Sequence, residues 1–367
     1  MKRLLFLLPF LFILCTGCGS YVEIEDLIIV AGAAIDYDSA DGRYTVTAEV
    51  IDLQDSGAND AGYQTVYLRS TGDSVAEAVA DLSRIAGHEL YWNHADVFLL
   101  GRGVLGSSVL PVLDWLMGDV NARLSALVVA AGTERAADVY QLTSPVRKSV
   151  SLSLEQILRS YHKVGNGSAV TVNDLVNRCR SVGSAVCMPM VTAEQNGDTP
   201  LLVVRSYAVL RGDTLAGICD GREAVGLQLL LGRPVRELLN VELPDGTSVL
   251  FRVGEVSTSL CVGVDGDTPG ADVTVRAEIF SVSGETDLSS SDLRDGVAAK
   301  ITDLCEAVLE RDVTDFHADI LGVGREISRR RPETWERLKA DWTETYGKLQ
   351  YSIHPVIRLE QLPEGRR

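Results

Sequence analysis

The stretch IIVAGAAI, residues Ile28 to Ile35, is apolar throughout and predicts a buried β-strand. Residues 43–53, RYTVTAEVIDL, alternate between polar and apolar side chains and predict a second strand. The segment DYDSADG between them has the composition of a turn, so the two strands form a hairpin with a long loop. A short third strand is predicted at 65–68, beyond a loop rich in glycine and aspartate. The folded part of the chain is therefore expected to begin with a sheet.

Helices and strands alternate beyond this hairpin. Ser74 and Glu77 form a capping box ahead of apolar residues that share one helical face: Val75, Val79, Leu82 and Ile85. A strand, a helix and a second strand follow at 96–100, 108–117 and 124–130. This order predicts a mixed sheet covered by helices.

The middle of the chain carries helical patterns. Ser153 with Gln156 is predicted to cap one helix, Thr171 a second, and Asp220 is predicted to open a third. Extended apolar stretches are also present, at 190–192, 201–210 and 215–219.

The last third begins with strands and continues with helices. Three β-branched-rich stretches predict strands at 248–254, 257–264 and 271–281. A long helix follows, whose apolar residues recur at helical spacing: Leu293, Val297, Ile301, Leu304 and Val308. Pro332 starts a further helix, and the alternating stretch 351–359 predicts a closing strand.

We therefore predict an α+β, multi-domain fold of mixed sheets packed by helices, without Rossmann or TIM architecture. The predicted divisions are a signal peptide at 1–17, an N-terminal α/β-sheet domain at 18–140, a mainly helical middle domain at 141–232 and a C-terminal α+β domain at 233–367. The middle domain is able to borrow strands from the first.

The first eighteen residues, MKRLLFLLPFLFILCTGC, have the pattern of an export signal. Lys2 and Arg3 precede an apolar run that, as a helix, would rise only about 17 Å against a bilayer core of roughly 30 Å. Thr16 and Gly17 are the small residues of a cleavage site before Cys18. The ending resembles a bacterial lipobox, with Cys15 where leucine is usual, and predicts that the Cys18 thiol carries diacylglycerol. A redox or zinc C-x-x-C is the alternative interpretation of the same residues.

Composition narrows the function further. The 367 residues are 46% hydrophobic and 23% charged, which is typical of an ordered globular protein, and the formal net charge is −17. Because such a surface repels phosphate backbones, we expect no nucleic-acid partner. No later apolar run approaches the length of a membrane span, so we expect a soluble body.

Motifs for catalysis or cofactors are weak. Gly101 to Gly106 match G-x-G-x-x-G between a predicted strand and helix, as in dinucleotide-binding proteins, but the acid that follows, Glu134, lies beyond the end of the next strand and is poorly placed to bind a ribose. We therefore interpret the glycines as turn residues. The histidines show no metal-ligand spacing; His88 and His94 flank ELYWN, which could line a small site, although structural roles are favoured. We predict no enzyme activity, cofactor or metal.

Cysteines, cations and aromatic residues complete the candidates. Cys219, Cys261 and Cys305 have apolar neighbours and are predicted to be buried, whereas a bridge between Cys179 and Cys187 has no support from spacing. Six cations cluster near the C terminus and are interpreted as a solvated face, with an anionic lipid or acidic partner as the alternative: Arg325, Arg329, Arg330, Arg331, Arg337 and Lys339. The stripe Trp335, Leu338 and Trp342 is predicted to be core.

Six segments in order carry a resemblance to a known family: Cys18 closing the signal, and the stretches 23–36, 81–101, 110–130, 206–232 and 319–342. The chain resembles the Ger(x)C, or GerAC-like, subunits of spore germinant receptors. This resemblance implies a three-domain α+β lipoprotein without enzymatic activity, anchored through Cys18 on the outer face of the spore inner membrane. It also implies assembly with two integral-membrane subunits, of A type and B type, in a receptor that triggers germination when nutrients bind. It implies no ligand residues.

Two other classes are weighed against this one. A solute-binding lipoprotein of a transport system would need two similar lobes around a cleft, and the two halves of this sequence differ. An envelope enzyme would need a nucleophile or a metal constellation, and the sequence shows neither.

Overall fold

The computed structural model describes residues 27–52, 64–118, 122–142, 148–162, 169–181, 183–243, 246–283 and 290–360. Within these ranges the chain forms a ten-stranded sheet, a four-stranded sheet and the helices that cover them. The predicted α+β, multi-domain class is confirmed, and the described residues form neither a Rossmann nor a TIM architecture. The predicted domain borders near 140 and 232 stay predictions.

The first sheet draws its strands from residues 27–219. Its strands are β1 Leu27–Asp38, β2 Arg43–Asp52, β3 Gln64–Gly72, β4 Glu89–Tyr91, β5 Val97–Leu100, β6 Leu127–Ala131, β7 Val170–Thr171, β8 Ala185–Asn196, β9 Thr199–Arg211 and β10 Thr214–Cys219. The order is β10-β9-β8-β6-β5-β1-β2-β3, with β4 beside β1 and β7 beside β6. The central strands β1, β5, β6 and β8 run parallel, and antiparallel strands extend the sheet on both sides. Parallel neighbours require crossover connections, which explains the helices between them.

Helices cover both faces of this sheet. They are α1 Val75–Ala86, α2 Arg102–Ser107, α3 Leu110–Gly118, α4 Val150–His162 and α5 Val172–Cys179. Phe98 and Leu99 are adjacent on β5 and point to opposite faces, as in any strand. Phe98 packs in one core with residues of α1, α2, α3 and α5, whereas Leu99 packs in another with residues of α4.

Two predicted helix caps are present. The Glu77 amide donates to Ser74 Oγ at 3.1 Å, although the Glu77 carboxylate accepts from the amide of Asp73 rather than from that of Ser74. At α5 the capping box is complete, because Thr171 Oγ1 accepts from the Asp174 amide and the Asp174 carboxylate accepts from the Thr171 amide. These side chains satisfy amides that a helix leaves unpaired at its start.

The predicted cap at Ser153 is wrong, because α4 begins three residues earlier, at Val150. The Ser153 hydroxyl instead donates to the Ser149 carbonyl at 2.9 Å. The carboxylate that receives the first amides of α4 belongs to Glu49 on β2, about a hundred residues away in the chain. A cap from so distant a residue leaves no local signal in the sequence.

The second sheet comprises β11 Leu238–Glu242, β12 Ser248–Asp265, β13 Thr268–Ser283 and β14 Gln350–Glu360, in that order. The strands predicted at 248–254 and 257–264 are one strand, interrupted by a register shift between Val253 and Val256. Gly254 lies in this shift, and a Cβ there would approach the Phe280 ring to 2.7 Å. The glycine therefore marks a β-bulge with close packing rather than a turn.

Helix α6, Gly221–Leu230, joins the two sheets into one core. Its residues Ala224 to Leu230 are all buried, which is typical of a helix enclosed on every side. One core cluster contains side chains of β9, α6, the second sheet and α7 Ser290–Arg311. Helices α6 and α7 cross closely, because a Cβ on Gly226 would lie 2.0 Å from the Leu304 carbonyl oxygen.

The C-terminal helices are α8 Val323–Arg330, α9 Pro332–Leu338 and α10 Trp342–Tyr346. Trp335, Leu338 and Trp342 are buried in a separate small core with Tyr346, so their prediction as core residues is confirmed. The rings of Trp335 and Trp342 meet edge to face, with centroids 5.0 Å apart.

Candidate functional site at the junction of the two sheets

The segment between α7 and α8 lies where the first sheet meets the C-terminal helices. It starts with a π-helical turn, Asp312–Phe316, and continues through His317 and Asp319, whose φ angles are 48° and 50°. Positive φ is uncommon outside glycine, and such backbone persists only where surrounding contacts hold it. One of these contacts is the 3.2 Å hydrogen bond from the Ala185 amide on β8 to the Asp319 carbonyl.

Two buried carboxyl groups organise this segment. Asp312 accepts from the amides of Ala318 and Ile320, at 3.3 and 3.2 Å, and from the Tyr346 hydroxyl at 2.5 Å. Asp319 accepts from the amides of Val323 and Gly324, which begin α8, and from the Trp342 indole N–H. The two aspartates thus bind the turn, α8 and α10 together.

Burial sets the charge of these carboxyl groups. Loss of solvation raises the pKa of Asp312 to about 6 and that of Asp319 to about 7, although the donated hydrogen bonds act in the opposite direction. Both groups therefore titrate close to neutral pH, whereas an ordinary aspartate is already ionised there. Asp312 and Asp319 cannot be recognised in the sequence, because the chain contains many carboxylates and neither of these two belongs to a known motif.

The predicted cationic cluster divides in the structure. Arg329 and Arg330 both pair with Glu326, Arg337 pairs with Asp267 at 3.1 Å, and Lys339 pairs with Glu336 at 2.6 Å. Arg331 is exposed. Arg325, Arg329 and Arg330 line a cavity at the junction, together with Arg178 from α5 and Arg233 from the segment after α6. Of the three cluster members, Arg325 has no ion pair among the described residues. The sequence gives no sign of Arg178 and Arg233 as candidates, because each is a single arginine far from the cluster.

The G-x-G-x-x-G segment belongs to the packing of the first sheet. Its glycines begin and run through the six-residue helix α2. A Cβ on Gly103 would lie 1.9 Å from the Tyr37 carbonyl oxygen, and one on Gly101 would lie 2.2 Å from Asp36 Oδ1. Gly101 and Gly103 allow the helix to approach β1 closely, so they serve packing. Their interpretation as turn residues is wrong for Gly103 and Gly106, which lie within the helix.

The histidines whose side chains the structure describes do not converge on one site. His88 is exposed, and His94 lies 3.4 Å from an Arg123 guanidinium nitrogen, with its ring beside that of Tyr91. Among the described residues, no group of three or more His, Cys, Asp or Glu side chains could hold a metal ion.

The five cysteines outside the signal region are free thiols. Cys219 and Cys305 are fully buried as predicted, and burial raises the pKa of the Cys305 thiol to about 12. Cys261 is exposed, so the prediction of its burial is wrong. Its apolar neighbours alternate along β12, and Cys261 lies on the strand's other face.

The predicted lipidation site, Cys18, lies outside the described residues. Within the described part of the chain, no helix combines the length and hydrophobicity needed to cross a bilayer.

These features define a two-sheet α+β protein with a polar, arginine-lined junction. Residues 20–193 match the family described as "Spore germination protein N-terminal domain". Residues 205–362 match "Spore germination B3/GerAC like, C-terminal". The chain belongs to this GerAC-like family of spore germination proteins.

Individual relatives agree with this assignment. The chain is 24% identical to spore germination protein KC of Bacillus subtilis, over 91% of this chain and 89% of that protein. It is also 24% identical to spore germination protein YndF of the same organism, over 95% and 96% of the two chains. The crystal structure of the GerBC protein superposes with a TM-score of 0.59 at 17% identity, covering 89% of this chain and 96% of that one, which shows a shared fold.

Proposed function

We propose that this protein is the lipid-anchored, non-enzymatic C subunit of a nutrient germinant receptor. The observation that carries the proposal is the match to both parts of the GerAC-like family, residues 20–193 and 205–362, behind a lipobox-like Cys18. The body would lie on the outer face of the spore inner membrane. It would act by binding A-type and B-type integral-membrane subunits rather than by catalysis.

Dual anchoring supports this role physically. A single acyl chain gives only marginal membrane binding, whereas the two chains of diacylglycerol hold a protein stably. Contacts with membrane subunits would add avidity, because tethering raises the effective concentration of the body at its partners.

The anchor is tested by Cys18→Ala, with Cys15→Ala as the matched control in the same signal. We expect Cys18→Ala to abolish incorporation of radiolabelled fatty acid and to release the protein from the membrane fraction. Cys15→Ala should retain both, because it leaves the acceptor thiol in place. Normal labelling of the Cys18→Ala protein would refute the lipidation site.

The receptor role is tested separately in spores. Deleting the gene should impair nutrient-triggered germination, and the wild-type chain should restore it. The two membrane subunits should copurify with an affinity-tagged copy from detergent-solubilised spore membranes. Copurification with an ABC permease and its ATPase would instead indicate the solute-binding class.

A further inference from the structure

A cavity of about 530 Å³ opens at the junction of the two sheets. Its wall combines residues from both family-matched parts, including Arg178 and Ala185 from the first and Arg233, Thr258 and Arg325 from the second. The volume lies within the roughly 300–1,000 Å³ typical of small-molecule sites.

Arg233 is the most informative residue of this wall. It is only 8% exposed, and its guanidinium lies 5.8 Å from the centre of the Tyr207 ring. Among the described residues its guanidinium donates one hydrogen bond, from Nη1 to the Cys187 carbonyl at the long distance of 3.5 Å. A guanidinium carries five N–H donors and a permanent charge, so most of its donors are unused among the described residues. A buried charge is costly unless it is paired.

Two more arginines of the wall have no carboxylate at ion-pair distance among the residues that the structure describes. Arg178 is half-buried and reaches only the Ala185 carbonyl, at 3.5 Å. Arg325 is exposed, with its backbone amide bonded to the Gly183 carbonyl. The cavity wall thus contains three arginines from three separate segments of the chain, none of them paired with a described carboxylate.

The carboxylates of the wall do not neutralise these arginines. Both oxygens of Asp319 already accept from the start of α8 and from Trp342. Glu326 is occupied by Arg329 and Arg330. Five arginines therefore face two committed carboxylates, in a chain whose formal net charge is −17. The cavity wall therefore carries an excess of positive charge, whereas the chain as a whole is negatively charged.

We propose that this cavity binds a small molecule through an oxyanion group, a carboxylate or a phosphate. The planar fork of arginine matches the two oxygens of either group and gives short, charge-assisted hydrogen bonds. Arg178, Arg233 and Arg325 are the binding residues. Because they come from both parts of the chain, the bound anion would also hold those parts together. The inference goes beyond the receptor role and does not depend on it.

The test is calorimetric titration of the full chain, purified in a mild detergent, with inorganic phosphate and with succinate in a buffer that contains no other oxyanion. Saturable binding of phosphate alone would assign a phosphate ligand, and saturable binding of succinate alone a carboxylate ligand. Binding of both would show that the site accepts either oxyanion. Absence of binding by both probes would overturn the proposal.

Variants locate the site. Arg178→Gln and Arg325→Gln should each weaken binding about tenfold or more, as expected when a charge-assisted hydrogen bond is lost. The matched control is Arg331→Gln, an exposed arginine of the same cluster outside the cavity wall, which should change affinity less than about twofold. Equal weakening by Arg331→Gln, or none by the cavity variants, would overturn the assignment.

Arg233→Lys provides an independent readout, since lysine keeps the positive charge but loses the planar fork. We expect weaker binding with an unchanged thermal midpoint in the absence of anion. In the wild type, the anion should raise the midpoint with concentration, as any ligand of the folded state does. A variant whose midpoint rises as much as that of the wild type would count against Arg233 as a binding residue.

Discussion

Replacing Glu49 with glutamine should destabilise α4 where it packs on the first sheet. Glu49 is fully buried on β2, and its carboxylate accepts from four donors. Oε1 accepts from the Val150 amide at 2.9 Å and the Tyr67 hydroxyl at 3.3 Å; Oε2 accepts from the Ser151 amide at 2.8 Å and the Ser149 hydroxyl at 3.1 Å. The negative charge also lies at the positive end of the helix dipole.

The size of the effect follows from this geometry. A glutamine amide keeps one oxygen and replaces the other with an N–H donor, so in either orientation a donor faces a backbone amide of α4. One hydrogen bond to a charged group is worth about 1.5–3 kcal/mol, and an orphaned buried amide costs about 1–3 kcal/mol. Relief from burying a charge offsets part of this loss. We expect a net destabilisation of roughly 3 kcal/mol.

Hydrogen exchange read by mass spectrometry is the suitable assay, because it localises the loss to residues 150–162. A loss of roughly 3 kcal/mol corresponds to about a hundredfold faster exchange of the α4 amides. Glu242→Gln is the control, since Glu242 is an exposed strand carboxylate on β11 and its replacement should leave exchange unchanged. Wild-type exchange in α4 of Glu49→Gln would refute the claim that this carboxylate holds the helix.

Two further predictions concern single side chains. Gly103→Ala should lower the free energy of unfolding in urea by about 1–3 kcal/mol, because the added Cβ would clash with the Tyr37 carbonyl. Gly106→Ala is the control, since its Cβ would meet open space and should leave that free energy unchanged. Equal urea midpoints for the two variants would contradict this prediction. Because folded Asp312 keeps its proton up to about pH 6 while the unfolded chain loses it near 3.8, its contribution to stability falls as pH rises between these values. Tyr346→Phe removes a donor that favours ionised Asp312, so its destabilisation should be larger at about pH 8 than at about pH 5; equal urea-unfolding losses would argue against this hydrogen bond.

The sequence predicts well those helices and strands whose signals lie in neighbouring residues. The run at 28–35 and the alternation at 43–53 correspond to β1 and β2, and the caps at Ser74 and Thr171 start helices as expected. Each of these signals depends on residues within a few positions of one another. The family resemblance, now established by the family matches, is likewise carried by contiguous stretches.

The features that escaped prediction depend on residues far apart in the chain. The cap of α4 comes from Glu49, about a hundred residues upstream, whereas the local pattern predicts a cap at Ser153. A glycine such as Gly254 is compatible with either a turn or a β-bulge. Pairing with the neighbouring strand determines which of the two forms. The arginines of the cavity are hidden in the sequence for a similar reason. Arg178 and Arg233 line one cavity only because the fold brings the two parts of the chain together.

The hairpin of β8 and β9 has a practical consequence for anyone who wishes to study the parts of this protein separately. The two family matches meet between residues 193 and 205, whereas β8 ends at Asn196 and β9 begins at Thr199. A fragment cut there would expose the backbone of β8 along the edge that pairs with β9, and would separate Cys187 from the apolar core that it shares with residues of α6. Open, apolar strand edges recruit other strands and aggregate. An expression fragment that keeps the first sheet whole must therefore continue through β10 to at least Cys219.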